Sequence, residues 1–228
     1  MLKHLIVLSG AGVSAESGLK TFRDSGGLWM GYDVLQVASP EGWEKDPGLV
    51  LDFYNKRREE VAKALPNEAH QIIAELEKYF DVTVITQNID DLHERAGSTN
   101  VIHLHGEIFK MRSEKNETLL YDIRGDIQLG EKAPDGFQLR PHVVWFGEPV
   151  PLIEKAVSIL PSADIFIVVG TSLQVYPAAG LVHALSPEIP KYIIDKNPPS
   201  IPGSGHFIII KKTATEGMRE VADLLNRL

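Results

Sequence analysis

The chain has 228 residues, of which 23 are basic and 31 acidic, so its formal net charge is -8, and it contains no cysteine. The absence of cysteine excludes disulfides, thiol nucleophiles, iron–sulfur clusters and thiolate zinc sites. The acidic balance argues against sequence-independent nucleic-acid binding, which needs a positive surface. The length fits one large domain, or one domain with a small insertion, and 43% hydrophobic residues are ordinary for a globular core.

Short runs rich in β-branched residues recur along the chain and alternate with helical patterns. The runs lie at residues 5–8, 82–86, 101–104, 165–169, 191–194 and 207–210. Nearly continuous hydrophobicity is typical of parallel strands buried on both faces. The pattern predicts an α/β fold with a Rossmann-like, doubly wound parallel sheet.

Every run is far shorter than the roughly 18–20 residues of a membrane span. The first run is also too short for a signal peptide, so we expect a cytoplasmic protein.

Two stretches interrupt this rhythm and predict a small second lobe made of two insertions. The first contains a Gly-rich turn and a helix with Asp46 as N-cap and Pro47 at its first position. The second is polar, contains several glycines and has no strong period. The large domain is predicted to comprise residues 1–23, 76–105 and 140–228, and the small lobe residues 24–75 and 106–139.

A glycine motif follows the first predicted strand. Residues 10–15 read GAGVSA, which matches G-x-G-x-x-G/A at the opening of a helix. Such glycines predict a tight turn with backbone N–H groups close to a pyrophosphate. A plain glycine-rich turn is the alternative. The acidic ribose ligand expected roughly 20 residues later is missing, which disfavours an ordinary dehydrogenase and leaves a dinucleotide open.

Polar side chains follow the second predicted strand, where residues 86–91 read TQNIDD. The carboxyl ends of parallel strands border the crevice in which such folds bind ligands. The amides of Gln87 and Asn88 offer donors and acceptors for ribose hydroxyls or a carboxamide. Alternatively, Asn88 or Asp90 caps a helix over residues 91–96.

His103 and His105 mark the end of the third predicted strand, and strand alternation places them on one face. Three interpretations stay open. The histidines are structural, or they form a metal pair with His93 or His142 as a third ligand, or one of them is a general base. His105 stands at the strand terminus before a glycine, where it is better placed to reach a crevice ligand as base.

Five blocks in order resemble the motifs of the sirtuins, which are NAD-dependent protein-lysine deacylases. They are residues 10–23 (GAGVSAESGLKTFR), 86–90 (TQNID), 104–106 (LHG), 140–148 (RPHVVWFGE) and 170–175 (GTSLQV). The blocks extend over nearly the whole chain, and their order speaks against chance similarity.

The resemblance implies that NAD binds in the crevice of the large domain. In the family, the first block surrounds the pyrophosphate and the nicotinamide ribose, the second lines the ribose and nicotinamide pocket, and the last holds the adenosine half. The residues implied to bind NAD are Gly10, Ala11, Gly12, Ser14, Thr21, Phe22, Arg23, Gln87, Asn88, Asp90, Gly170, Thr171, Ser172 and Asn197.

The resemblance also implies a reaction, with His105 and Asn88 as catalytic residues. In the family, the acyl oxygen of the substrate lysine attacks the ribose carbon and expels nicotinamide. The histidine then helps to activate a ribose hydroxyl, and the acyl group moves to ADP-ribose. Val144, Phe146 and Gly147 are implied to form the edge against which the acylated peptide adds as a strand.

Two features of the sequence depart from the family pattern. Lys20 stands where the family usually has proline. Most relatives also carry a four-cysteine zinc module after the His-Gly pair, whereas residues 106–139 contain no cysteine. We expect a zinc-free lobe, held by packing and local hydrogen bonds.

Tyr54 and Arg57 are three residues apart in the helix after Pro47 and therefore share a helical face. An ordinary amphipathic helix with a solvated basic cluster is the alternative. Tyr-x-x-Arg at this place resembles the acyl-pocket pair of class III sirtuins, which remove malonyl, succinyl and glutaryl groups. A carboxylate in an apolar tunnel needs a cation and a donor. We therefore expect a preference for acidic acyl-lysines, with weaker deacetylase activity.

Three other functions stay open: an enzyme that is mainly a deacetylase, an NAD-dependent ADP-ribosyltransferase, and a non-catalytic NAD-sensing module. The presence of His105 and Asn88 argues against the last, because a degenerate module could dispense with them. The expected partners are acylated lysines on protein substrates. We expect a monomer with no membrane and no direct nucleic-acid partner.

Overall fold

The computed structural model describes residues 2–21, 28–29, 31–199 and 207–225. The strands are β1 (His4–Ser9), β2 (Leu28–Trp29), β3 (Tyr32–Asp33), β4 (Asp81–Thr86), β5 (Val101–His103), β6 (Gly106–Ser113), β7 (Leu120–Asp122), β8 (Leu139–Val143), β9 (Ile165–Val169), β10 (Lys191–Ile194) and β11 (Ile208–Ile210). The helices are α1 (Ala11–Ser14), α2 (Val34–Val37), α3 (Pro40–Lys45), α4 (Pro47–Lys63), α5 (Glu68–Glu75), α6 (Leu92–Ala96), α7 (Ile153–Ile159) and α8 (Ala214–Leu225). Short 3₁₀ helices cover Ala15–Ser17, Leu76–Lys78, Leu160–Ser162 and Ala178–Ala184.

A six-stranded sheet with the order β11-β10-β9-β1-β4-β5 forms the centre of the large domain. All neighbouring strands in it run parallel. Each of the six apolar runs is one of its strands, so the predicted α/β fold with a parallel sheet is confirmed. The central strand β1 is buried on both faces, as its continuous hydrophobicity predicts. Among the described residues, no helix is both long and apolar enough to cross a bilayer.

Helices cover the two faces of this sheet and create two apolar clusters. On one face, α5 and α8 bury side chains such as Ile73, Met218 and Val221 against the sheet. On the other face, α7 and the 3₁₀ helix Ala178–Ala184 pack against Ile6, Leu8 and their neighbours. The sheet is thus held on both sides, and its carboxyl edge is left for ligands.

The small lobe combines helices α2, α3 and α4 with a three-stranded antiparallel sheet of order β7-β6-β8. Its apolar cluster includes Trp43, Phe53, Ile108, Leu139 and Trp145. Helix α4 begins as predicted, with the Asp46 carboxylate accepting the Leu49 N–H at 2.9 Å and Pro47 in the first turn.

Two predicted boundaries are wrong. Helix α5 was assigned to the small lobe with residues 24–75, but its Ala69 and Ile73 are buried in the cluster of the large sheet. Strand β8 was divided by the boundary at 139/140, but it pairs along its length with β6. An amphipathic pattern indicates that a helix buries one face, and it does not indicate which neighbour covers that face.

Arg58 joins the parts of the small lobe from within. Its side chain is 1% exposed. Its Nε donates to the Ile108 carbonyl at 2.9 Å, and its Nη1 donates to Asn55 at 2.8 Å and to the Gly125 carbonyl at 3.1 Å. Burial lowers the pKa of Arg58 to about 10, although the charge of Asp126 opposes this shift. One buried cation therefore ties α4 to β6 and to the segment after β7.

No zinc site replaces the missing cysteines in the part of the chain that the structure describes, because no three His, Asp or Glu side chains there are grouped to hold a metal ion. The described residues of this lobe therefore do not fit the four-cysteine zinc module that the motif resemblance implies for most relatives. Its contacts are instead the apolar cluster and hydrogen bonds such as those from Asn55 to both backbone groups of Ile127, each 3.0 Å long.

Replacing Arg58 by Met should lower the free energy of unfolding by about 2–4 kcal/mol, since buried carbonyls lose their charged donor. Chemical denaturation would measure the change. Lys63→Met on the same helix removes an exposed charge and should shift stability by less than about 0.5 kcal/mol. EDTA should leave the wild-type transition unchanged. An Arg58→Met variant with an unchanged free energy of unfolding would contradict this account of the lobe. An unfolding transition that EDTA lowers would contradict it as well.

Candidate active site

A cavity of about 810 Å³ lies at the carboxyl edge of the large sheet. It is lined by the turns that follow β1, β4, β9 and β10 and by side chains of the small lobe. Phe22 and Arg23 lie outside the described residues. Every other predicted site residue lines this cavity: Gly10, Ala11, Gly12, Ser14, Thr21, Tyr54, Arg57, Gln87, Asn88, Asp90, His105, Val144, Phe146, Gly147, Gly170, Thr171, Ser172 and Asn197.

The glycine turn after β1 packs tightly against the turn after β9. A Cβ on Gly10 would lie 2.7 Å from the Thr171 Cβ, and one on Gly12 would lie 2.7 Å from the Gly170 Cα. The N–H groups of Gly10 and Gly12 donate to the carbonyls of Val169 and Gly170 at 3.1 and 2.8 Å. Packing between the two turns thus explains these glycines directly. That these glycines also form a tight turn close to a pyrophosphate stays a prediction.

Asn88 is the centre of a buried polar network. Its Nδ2 donates to the Gly10 carbonyl and to the Ser14 hydroxyl, both at 3.2 Å. Ser14 in turn donates to Asp90 Oδ2 at 3.0 Å, and Asp90 Oδ1 accepts the Leu92 N–H at 3.2 Å. Burial raises the pKa of Asp90, and these two hydrogen bonds oppose that shift. Asp90 therefore both lines the cavity and caps the first turn of α6.

His105 lies beyond the end of β5 and is held by a backbone carbonyl. Its Nδ1 lies 3.0 Å from the Gln87 carbonyl oxygen, while Gln87 Nε2 donates to Thr171 at 3.0 Å. A carbonyl can only accept, so Nδ1 carries the proton and Nε2 of the neutral ring is the basic nitrogen. Burial lowers the pKa of His105, and its hydrogen bond to Gln87 only partly offsets this.

His103 has a different environment and does not line the cavity. Its Nδ1 lies 2.9 Å from the Asn88 carbonyl and its Nε2 lies 2.6 Å from the Glu94 carboxylate. Burial by itself would lower the pKa of His103, but the hydrogen bond and charge of Glu94 raise it. His93 instead contacts Ser9 at 2.9 Å. Within the described ranges no metal cluster forms around these histidines, and His103 fits a structural role.

The motif resemblance implies that His105 is the general base, and in that role its pKa sets the pH dependence of kcat/KM. A general base acts in its neutral form, and burial moves its pKa below the ordinary value of about 6.5. We expect kcat/KM to be constant from about pH 7 to 8 and to fall only below about pH 6.5. A pH profile on one acyl peptide would measure this. An acid limb centred above about pH 7 would contradict a neutral, buried base.

Tyr54 lies at the small-lobe end of the cavity and is completely buried. Its hydroxyl accepts a hydrogen bond from Trp145 Nε1 at 3.1 Å. Burial raises the pKa of Tyr54, so the phenol stays protonated and keeps one O–H donor for a ligand.

Arg57 lies one helical turn further along α4 and is 6% exposed. Its Nη1 lies 3.2 Å from the Glu60 carboxylate, and its Nη2 donates to the Lys20 carbonyl at 3.3 Å. Its Cζ is 5.8 Å from the centre of the Trp29 ring. The Arg57 Nε is buried and has no hydrogen-bond partner among the described residues. The solvated basic cluster that was the alternative from sequence does not describe Arg57.

The segment predicted to pair with a peptide follows β8 and is not itself a strand. Val144 N–H donates to the His105 carbonyl and Phe146 N–H donates to the Ala38 carbonyl, each at 2.9 Å. Gly147 has a φ of +91° in the following turn. A peptide that lies along this segment therefore meets two N–H groups that already have partners inside the chain.

Sequence reasoning missed several cavity residues: Glu16, Trp29, Trp145, Asp195, Lys196, Lys212 and Thr213. A signal for Asp195 was present, because it directly follows β10 and the ends of parallel strands border the ligand crevice. Its carboxylate accepts the Asn197 N–H at 2.7 Å. Trp145 was part of a quoted motif block, but nothing in the sequence indicated that its ring contacts Tyr54.

Comparisons with known proteins agree with this geometry. A sequence model of the Sir2 family matches residues 10–177. An NAD-dependent protein deacylase of Bacteroides thetaiotaomicron is 51% identical over 98% of this chain and 98% of its own length. One of Helicobacter pylori is 56% identical over 85% of this chain and 83% of its own.

Solved structures give the same result. A Sir2 homologue in complex with ADP-ribose is 38% identical, with a TM-score of 0.90 over 99% of this chain and 93% of that chain. A Sir2 homologue in complex with NAD, also 38% identical, has a TM-score of 0.89 over 99% of this chain and 90% of its own. The resemblance found in the sequence motifs is confirmed, and the chain belongs to the Sir2 family of NAD-dependent protein deacylases.

Proposed function

We propose that this deacylase prefers lysines that carry malonyl, succinyl or glutaryl groups and removes acetyl groups more slowly. Its products are nicotinamide, O-acyl-ADP-ribose and the free lysine of a protein substrate. One observation carries the preference: a buried arginine, Arg57, lines the cavity with its Nε without a partner among the described residues. An acidic acyl group supplies the carboxylate that such a donor lacks.

The cavity residues fit NAD. Amide, hydroxyl and carboxylate groups of Asn88, Ser14 and Asp90 stand at the carboxyl edge of a parallel sheet, where dinucleotides bind in such folds. We assign the nicotinamide and its ribose to Asn88 and Asp90, and the adenosine half to Thr171 and Asn197. Bound NAD supplies the ribose carbon that receives the acyl oxygen and the nicotinamide that leaves.

His105 is the base in this proposal. The proton on Nδ1 is fixed by the Gln87 carbonyl at 3.0 Å, so Nε2 accepts a proton from a hydroxyl in the cavity. The side-chain amide of Asn88 is held in place by two hydrogen bonds of 3.2 Å, which it donates to the Gly10 carbonyl and to the Ser14 hydroxyl. This fixed amide orients a ligand without having to reorganise.

The acyl chain extends toward α4. Tyr54 and Trp29 line the cavity there, and the Tyr54 hydroxyl and the Arg57 guanidinium are the donors that we assign to its end. A carboxylate taken from water into such a site is stabilised only where charged and neutral donors replace its hydration. An acetyl group leaves these donors unused and therefore gains less binding energy.

A nicotinamide-release assay on one peptide with acetyl-, malonyl-, succinyl-, glutaryl- and longer acyl-lysine tests the proposal. We expect kcat/KM on the acidic acyl groups to exceed that on acetyl by about tenfold or more. A maximum at acetyl or at a long fatty acyl group would refute the preference. ADP-ribose attached to protein would indicate a transferase, and NAD binding without nicotinamide release would indicate a sensing module.

An enzyme that is mainly a deacetylase is the second candidate, and a specific contact favours it. The ion pair between Arg57 and Glu60 neutralises the cation at the end of the pocket. A pocket whose arginine is neutralised by an ion pair suits a neutral acyl group better than a pocket with an unpaired arginine.

A further inference from the structure

Helix α4 carries three ion pairs between neighbouring turns, and one of them differs from the others. The pairs Lys56–Asp52 and Lys63–Glu59 have side chains that are more than half exposed. In the third, the Arg57 side chain is 7% exposed and that of Glu60 is 42% exposed. Exposed ion pairs such as the first two contribute little to the free energy of folding. The Arg57–Glu60 pair instead joins a surface carboxylate to a buried cation in the cavity wall.

The Glu60 carboxylate already occupies one edge of the guanidinium. It lies 3.2 Å from Arg57 Nη1, while the Lys20 carbonyl takes Nη2 at 3.3 Å. The Arg57 Nε has no partner among the described residues but is itself buried, so a carboxylate that arrives from the cavity must compete with these partners for Nη1 and Nη2. It would then lie on the same guanidinium as Glu60, where two like charges repel each other or one displaces the other.

We infer that Glu60 is a specificity-determining residue, which lowers the affinity for acidic acyl groups and thereby keeps neutral acyl groups competitive. The inference rests on the proposed function, because it assumes that the acyl carboxylate reaches Arg57. Glu60 acts from outside the cavity wall, through the charge of Arg57, and does not itself touch the acyl group. The ratio of kcat/KM on succinyl-lysine to that on acetyl-lysine reports its effect.

The test compares Glu60→Gln with Glu59→Gln on succinyl and acetyl versions of one peptide. Both variants remove one negative charge from neighbouring positions of α4, but Glu59 pairs with Lys63 in solvent. We expect Glu60→Gln to raise the succinyl-to-acetyl ratio about three- to tenfold, mainly through a lower KM for the succinyl peptide. Glu59→Gln should change the ratio by less than about twofold.

A double-mutant cycle with Arg57→Met shows whether the effect passes through the arginine. In the Arg57→Met background, Glu60→Gln should no longer change the ratio. Equal ratios in Glu60→Gln and Glu59→Gln, or the same gain in the presence and absence of Arg57, would overturn the inference. If Arg57→Met lowers the ratio and Glu60→Gln does not raise it, only this inference fails. If Arg57→Met leaves the ratio unchanged, the proposed function fails, and the inference fails with it.

Discussion

Replacing His105 by Tyr should reduce turnover of every acyl-lysine by about 10²- to 10⁴-fold, the usual contribution of a positioned general base. The neutral His105 ring presents its unprotonated Nε2 because the Gln87 carbonyl holds the proton on Nδ1 at 3.0 Å. A phenol cannot replace it, because its ordinary pKa of about 10 keeps it protonated at neutral pH. Single-turnover kinetics on succinyl and acetyl peptides would measure the loss.

Two controls separate lost chemistry from lost structure. His105→Ala avoids the larger side chain and should be as inactive as His105→Tyr, which excludes a blocked pocket as the cause. Both variants should retain the melting temperature and ADP-ribose binding of the wild type, because the His105 ring makes a single hydrogen bond to Gln87. Deacylation at more than about a tenth of the wild-type rate in either variant would remove His105 from the role of base.

Replacing Arg57 by Met should cost about 2–5 kcal/mol of kcat/KM on succinyl-lysine, because the acyl carboxylate is left buried without its cation. This corresponds to about 30- to 5,000-fold. Arg57 is 6% exposed in the cavity wall, so little solvent is present to replace it. Activity on acetyl-lysine should change far less, because an acetyl group carries no charge to stabilise. Steady-state kinetics on the two peptides gives the comparison directly.

Lys56→Met is the matched control for Arg57→Met. It removes a positive charge from the preceding position of α4, where Lys56 pairs with Asp52 in solvent. Its ratio of succinyl to acetyl activity should stay within about twofold of the wild type. If Arg57→Met lowers activity on both acyl groups equally, Arg57 supports the fold of the pocket and does not recognise the acyl group.

The large sheet was readable from the sequence because burial on both faces leaves a simple pattern. Strands such as β9 (Ile165–Val169) are apolar throughout, and no amphipathic helix of this length has that property. The position of Gln87 in the cavity followed from the same reasoning, since Gln87 directly follows β4, whereas that of Thr171 was implied by the resemblance to the sirtuin motifs. The site residues stay predictions as binding groups, although the structure brings the described ones together.

The small lobe was not readable in this way. Strand β6 mixes buried and partly buried positions without regular alternation, and its pairing shifts register between Gly106 and Met111, so no period of two appears. The tie between Arg58 and β6 joins residues 50 positions apart, which a single sequence does not reveal. The contact between Arg57 and Glu60 is different, because their spacing of three on a predicted helix was a usable signal.

Adjacent residues of helix α4 make two different kinds of contact. Arg57 and Tyr54 line the cavity, while Arg58 binds β6 and Asn55 binds the segment after β7. In the proposed function, recognition of the acyl group and packing of the small lobe therefore depend on the same helix. In the proposed function, a change in residues 106–139 that tilts α4 would therefore also move Tyr54 and Arg57 at the acyl end of the pocket.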